Sequence, residues 1–326
     1  MYQLGLARSP QSRQIPGVRC VFFGTPELAV PSLAALNEIA EVPFAVCQPD
    51  RPAGRGLLPR APHVKCWAQS NGVDILQPTT LKDGELALRI REHSVDLGVV
   101  LAYGRLLPSS ILEAPRLGCV NLHASLLPRH RGAAPIAWSI LCQDTETGVS
   151  LMQMEAGLDT GPVLKQHRLP IGHRETAGTL GNRIATLCAE VTRVEIPRVI
   201  NGELSARPQN PEEATWAPPI RAADRQLDFN NSSMAVDARI RALSPTPGAL
   251  TKCKGRVLRL LETQPMTDDL GLQPGTVTVI GNRRILISTL NGSLELVRAQ
   301  FEGKKPLGAK ELLNGRSITS GDQLGS

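Results

Sequence analysis

The sequence predicts an α/β protein that begins with a Rossmann-like, doubly wound parallel sheet and ends in a small antiparallel β-barrel. Three observations carry that prediction. Between Val18 and about residue 200, short apolar runs alternate with stretches of helical period, the pattern of strands covered on both faces by crossover helices. The stretch ELSARPQNPEEATWAPPI then breaks this pattern with four prolines and no apolar period, as a linker does. Beyond it the texture turns to closely spaced strand-like runs separated by glycine-containing turns. A chain of 326 residues is also long for one core and sufficient for two.

Residues 1–17 carry Arg8 and Arg13, no acid and no apolar block. They therefore read as a disordered extension and not as a secretory leader. The first domain, 18–202, opens with the strand VRCVFF, and a helix follows Gly24-Thr25-Pro26. Next come PFAVCQ, a basic loop, VDIL, VDLGVVL, GCVNLH and GVSLMQM, with helical stretches between them. Leu180, Ile184, Leu187, Val191 and Val194 lie three or four residues apart, so 176–200 is expected to be the amphipathic helix that closes this domain. Pro197 should kink or fray its end.

After the linker, 203–222, the last domain spans 223–326. Its one long helix, Ser232 to Leu243, is stopped by Pro245 and Pro247. The strands GALTKC, RVLRLLET, GTVTVI, RILIST and LELVRA follow, with turns at Lys254-Gly255, Gly281-Asn282 and Asn291-Gly292. The last pair is a strong hairpin signal, and five short strands suit a barrel of the oligonucleotide-binding type. This domain holds fourteen Lys and Arg against ten Asp and Glu. A net charge of +6 on the whole chain favours a polyanionic partner, and with ten aromatic residues in all, a nucleic acid would be gripped mainly by its phosphates.

Several classes are disfavoured. No run of eighteen apolar residues is present, which argues against a membrane span. Seven scattered cysteines without a C-x-x-C pair read as reduced, buried thiols of a cytoplasmic protein, not as a disulfide frame or a zinc site. Gly24-Thr25-Pro26 lacks the G-x-G-x-x-G turn of a dinucleotide site, and no G-x-x-x-x-G-K-[ST] phosphate loop occurs.

The most informative stretch is Gly118 to Pro135, GCVNLHASLLPRHRGAAP. Side chains alternate along a strand, so Asn121 and His123 share one face at its carboxyl end, where open α/β sheets bind ligands. The strand GVSLMQM runs into the loop EAGLDTGPV, which brings Asp159 to the same edge if the two strands are parallel. On its own an aspartate between glycines reads as a turn former. Together the trio suits acyl transfer. When an amine attacks a formyl carbonyl, negative charge develops on oxygen, and Asn121 supplies a donor aimed at it. His123 stabilises the oxyanion as imidazolium or shuttles a proton between nitrogens. Asp159, directly or through a water, favours the charged ring and orients it.

Phe23-Gly24-Thr25-Pro26 through Leu33, Gln48 to Gly56, Ala102-Tyr103-Gly104, Asn121 to Pro135 and Gly157 to Gly161 together resemble the methionyl-tRNA formyltransferase family. The resemblance runs from about Val18 to about Arg316. It implies formyl transfer from 10-formyltetrahydrofolate to the α-amino group of methionyl-initiator tRNA, in translation initiation, by a monomer without a metal. Asn121, His123 and Asp159 match the catalytic positions, and Ser125, Leu126, Leu127 and Pro128 match the folate-contacting segment, whose apolar side chains suit a flat pterin. Arg51, Arg55 and Arg60 match the loop that engages the acceptor end of tRNA, and guanidinium forks suit phosphates and base edges. Leu57, Leu58 and Pro218-Pro219 depart from the family pattern where lysines are usual. Formylation of an amino sugar is the competing reading, because relatives with that activity share the trio.

Overall fold

The computed structural model describes residues 14–53, 58–281 and 283–325. The chain clusters into two compact units that are not collinear with the sequence. One takes in the chain up to Gly132, Gly148–Leu169 and Asn182–Trp216. The other takes in Ala133–Thr147, Pro170–Gly181 and the chain from Ala217 onward.

In the first unit, β1 (Cys20–Gly24), α1 (Val30–Ile39) and β2 (Phe44–Val46) open the sheet. A two-stranded ribbon, β3 (Arg51–Ala53) and β4 (Leu58–Arg60), stands where the sequence suggested only a basic loop. Then come α2 (His63–Ser70), β5 (Asp74–Leu76), α3 (Glu85–Glu92), β6 (Leu97–Leu101), α4 (Ser109–Leu112) and β7 (Cys119–His123). β8 (Glu146–Gln153) and β9 (Val163–Pro170) complete a seven-stranded sheet of order β5-β2-β1-β6-β7-β8-β9, while α5 (Pro135–Leu141), which separates β7 from β8 in sequence, falls in the second unit. The five strands β5, β2, β1, β6 and β7 run parallel.

Burial on both faces explains why these segments are strands. Val21, Phe23, Phe44, Val46 and Val100 point into one apolar cluster, while Cys20, Phe22, Ala45, Val99 and Leu101 are equally buried. Continuous apolar runs of this kind belong to sheets covered on both sides. On α1, Leu33, Leu36 and Ile39 are buried at helical spacing, each worth roughly 1.5–3 kcal/mol. Ile15 donates its N–H to Ile39 O at 2.8 Å, so the placed chain starts before Val18.

One expectation is corrected. β8 runs antiparallel to β7, with His123 opposite Ser150 and Val120 opposite Gln153, so the loop after β8 leaves from the opposite end of the strand. Only α5 lies between β7 and β8, and the chain returns along the neighbouring strand instead of crossing over as a βαβ unit does. α6 (Ala177–Ile200) matches the predicted helix but continues through Pro197 for three further residues.

In the second unit, Ser232 caps α7 (Ser233–Ala242) by accepting from the Ala235 N–H, as a serine N-cap should. The strands are β10 (Ala249–Cys253), β11 (Arg256–Met266), β12 (Val277–Ile280), β13 (Arg284–Ser288) and β14 (Ser293–Phe301). β15 (Leu307–Gly308), α8 (Ala309–Asn314) and β16 (Leu324–Gly325) follow. The antiparallel order β12-β13-β14-β11-β10-β16 curls back on itself, because Thr276 bridges Gln323 beside β12. Leu258, Leu260, Ile285, Ile287, Leu294 and Leu296 fill the interior with Val236 and Ile240 of α7. Asp237, also on α7 and only 1% exposed, accepts from Arg174 Nη1 at 2.9 Å, Arg241 Nε at 2.7 Å and Thr263 Oγ1 at 2.9 Å. This buried carboxylate is matched on every side.

Candidate active site

β7 delivers the first two site residues. Its edges are held by Val100 of β6 and Met152 of β8, both in register with Asn121. Val120 and Leu122 are buried, and the alternation sends Asn121 and His123 to the other face. The Asn121 amide is half-exposed and has no hydrogen-bond partner among the described residues, so its N–H groups remain available to a ligand. His123 ends the strand and is 6% exposed. Its Nε2 lies 2.9 Å from the His130 carbonyl oxygen. A carbonyl only accepts, so Nε2 carries a hydrogen and Nδ1 is the nitrogen left for chemistry.

Asp159 meets that nitrogen. Its Oδ2 lies 3.6 Å from His123 Nδ1 and accepts the Gly132 N–H at 2.8 Å. Although β8 runs the opposite way from the strand envisaged, the loop after it folds back and restores the predicted convergence. Asp159 adopts φ +53°, a left-handed conformation that aspartate tolerates better than most residues. Gly161 must be glycine, because a Cβ there would overlap the Gln153 carbonyl. Gly132, at φ +119°, likewise holds a backbone that side-chain-bearing residues rarely adopt.

The segment after β7 is tied down mainly through its backbone. Ser125 Oγ donates to Arg129 O at 2.6 Å, and Ser150 Oγ donates to Ser125 O at 2.7 Å and accepts from Leu127 N at 3.0 Å. Gln166 Nε2 adds a bond to Leu127 O at 2.7 Å. Ser125 and Leu127 are buried, whereas Leu126 and Pro128 keep half-open surfaces. An apolar ring system would rest on the latter two.

Arg51 and Arg60 are directly opposite each other across the β3–β4 ribbon, and both are exposed. Arg51 Nη2 donates to Gln48 Oε1, and Arg60 Nη2 lies 3.5 Å from His63 Nε2. Like charges opposed on a ribbon repel, and a bound anion would relieve that repulsion. Arg55 lies outside the described residues, as do Leu57 and Asn282. Among the described residues, no group of three or more His, Cys, Asp or Glu is placed to hold a metal ion, and no helix is long and apolar enough to cross a membrane.

Sequence reasoning missed the residues that frame the trio. His130, Arg131 and Gly132 supply a carbonyl, a guanidinium and an N–H in succession, and the linker stretch reaches back to them. Thr215 Oγ1 accepts from His130 N at 2.9 Å and Thr215 O from Arg131 N at 2.9 Å. Backbone partners such as these leave no mark in composition, although the run RGAAP after Pro128 was visible as part of a motif. Burial of the cysteines was also overstated, because Cys66 and Cys142 are exposed.

Comparison with known proteins gives the family. Residues 18–193 match the formyl transferase family model and 219–317 its C-terminal domain. A methionyl-tRNA formyltransferase of Sorangium cellulosum is 46% identical over 94% of this chain and 100% of its own length. One from Myxococcus xanthus is 46% identical over 94% and 97%. Among solved structures, the sugar 3N-formyl transferase WlaRD overlays with a TM-score of 0.64 at 17% identity, covering 88% of this chain and 99% of that one. At that identity the overlay speaks for the fold alone. Both halves are matched and the identity extends over nearly the whole length: the chain belongs to the formyl transferase family, in its methionyl-tRNA formyltransferase group.

Proposed function

We propose that the protein transfers a formyl group from 10-formyltetrahydrofolate to the α-amino group of methionyl-initiator tRNA. The observation that carries this reading is the meeting of His123 Nδ1 and Asp159 Oδ2 beside the unpartnered Asn121 amide. Full-length relatives at 46% identity support the choice of acceptor.

In this reading Asn121 donates to the formyl oxygen as the amine adds to the carbonyl, stabilising the charge that develops there. Asp159 stands opposite Nδ1, so a proton taken up by His123 from the attacking nitrogen is received beside a carboxylate. His123 returns that proton to the departing folate nitrogen, the C–N bond to the donor breaks, and the products are an N-formyl amine and tetrahydrofolate. Leu126 and Pro128 form the apolar floor for the pterin, with Ser125 and Leu127 supporting them from beneath. Arg51, Arg55 and Arg60 contact the acceptor end of the tRNA.

Residues 18–202 carry the chemistry in this scheme, 203–222 connect, and 223–326 grip tRNA phosphates through their basic clusters. The protein works as a monomer in the cytoplasm, beside the translation machinery. Formylation of an amino sugar is the second reading, favoured only by the fold likeness to sugar formyltransferases.

The test offers purified protein 10-formyltetrahydrofolate with methionyl-initiator tRNA, methionyl-elongator tRNA or a UDP-amino sugar. The initiator tRNA should be formylated with the highest kcat/KM. Preference for either other acceptor overturns the reading.

A further inference from the structure

The side chain of Gln209, in the proline-rich stretch between Asn201 and Ile220, makes four hydrogen bonds on the catalytic framework. Its Oε1 accepts from Arg131 Nε at 3.0 Å and from Arg131 Nη2 at 2.8 Å. Its Nε2 donates to Asp159 O at 2.9 Å and Gly161 O at 2.7 Å. The amide orientation is fixed by these partners, since guanidinium nitrogens only donate and carbonyls only accept.

These contacts join two strips of chain. Arg131 is 6% exposed and sits between His130, whose carbonyl holds His123 Nε2, and Gly132, whose N–H holds Asp159 Oδ2. Gln209 grips the Asp159 loop by its backbone from the other side. The carboxylate is thereby fixed at both its backbone and its head, while the φ of +53° at Asp159 needs outside support to persist. A glutamine so placed has more donors and acceptors engaged than a surface linker residue requires.

We infer that Gln209 is a positioning residue for formyl transfer, oriented by the Arg131 guanidinium and acting through Asp159. It touches no reacting atom. It sets where the Asp159 carboxylate stands relative to His123 Nδ1, and a misplacement of about 1 Å at such a position costs on the order of a hundredfold in rate. This inference rests on the catalytic assignment of Asp159 made above.

The experiment measures kcat and both KM values for Gln209→Ala, Gln209→Glu, Asp159→Asn and the double variant Gln209→Ala/Asp159→Asn, with thermal melts of each. Gln209→Glu keeps the side-chain length and the Arg131 contact but sets oxygen against two carbonyls, so it disturbs the Asp159 loop without opening a cavity, and the melts report which of the two variants is folded. Both Gln209 variants should lose about a hundredfold in kcat with KM for folate and tRNA unchanged, and the double variant should be no slower than Asp159→Asn alone. A Gln209 effect that multiplies onto Asp159→Asn, a loss confined to KM, or near-normal kcat in Gln209→Glu overturns the inference. A near-normal rate in Asp159→Asn itself would instead sink the assignment of Asp159, which is a separate failure.

Discussion

His123 gives its Nε2 hydrogen to the carbonyl of His130 at 2.9 Å, and this one bond decides which ring nitrogen faces Asp159. Without it the imidazole could turn and present either edge. With it, Nδ1 alone lies 3.6 Å from Asp159 Oδ2. His123→Ala should therefore abolish measurable turnover, and Asp159→Asn should cut kcat by about 10⁴ to a residual rate that enzyme-excess single-turnover assays still read, both leaving the melting transition near that of the parent. Asn121→Ala, which removes a single donor, should cost about 10²–10³ in kcat. Stopped-flow or quenched formylation of methionyl-tRNA reads all three, and a loss under tenfold in Asn121→Ala would remove it from the oxyanion role.

Arg51 and Arg60 oppose each other on the β3–β4 ribbon without an acidic neighbour in register. Replacing either by Ala should raise KM for tRNA and leave KM for folate alone. Each lost phosphate contact should also flatten the dependence of log K on log salt by about one. A salt dependence identical to that of the parent would show that neither arginine meets a phosphate.

What was legible in the sequence follows a simple physical rule. β7 could be read because the alternation of Val120, Asn121, Leu122 and His123 places polar and apolar groups on opposite faces, and only a strand explains that. β9 could not, because VLKQHRLP is mostly half-exposed and has no clean period. The direction of β8 is set by the connection from β7, which apolar content does not encode. The convergence on His123 was predicted through the wrong geometry and arrives because Gly132 N–H holds Asp159 in place. Gln209 was invisible, since two of its bonds go to backbone carbonyls that every residue possesses and the other two to Arg131, 78 residues away in sequence.

Thiol chemistry separates the seven cysteines. Burial pushes Cys20, Cys119 and Cys188 up to about 12 and Cys47 to about 11, so their thiolate population at neutral pH is negligible. Cys66 and Cys142 are exposed. An aromatic disulfide reagent on the native protein should therefore modify two thiols quickly and the remainder only as the fold opens. Prompt reaction of a third would mean that one of the apolar clusters is less closed than described.

Asp237 provides a stability test away from the chemistry. Removing this carboxylate leaves Arg174 and the largely buried Arg241 facing each other without their shared anion. Breaking a buried pair on one side typically costs about 3–5 kcal/mol. Asp237→Ala should lower stability in urea by that amount, and a loss below about 1 kcal/mol would class the contact with exposed ion pairs.

Asp322 ties the segment before β16 to the turn after β10 through Lys254, and its ionisation should make stability depend on pH. Burial raises its pKa, but the Thr319 N–H at 2.7 Å, the Lys254 ammonium at 3.0 Å and the Thr319 hydroxyl together outweigh burial and hold it below the ordinary aspartate value. A carboxylate depressed in the folded state binds fewer protons there than in the unfolded chain, so stability rises with pH across its titration. The contribution is complete above the ordinary aspartate value of about 4 and is lost as pH falls through the lower folded value. Asp322→Asn should remove that dependence and leave the variant less stable than the parent at pH 7. Unfolding curves of parent and Asp322→Asn between pH 7 and about 3 should therefore converge as the pH drops. A stability difference that stays constant across that range would mean that Asp322 holds β16 by shape alone, without its charge.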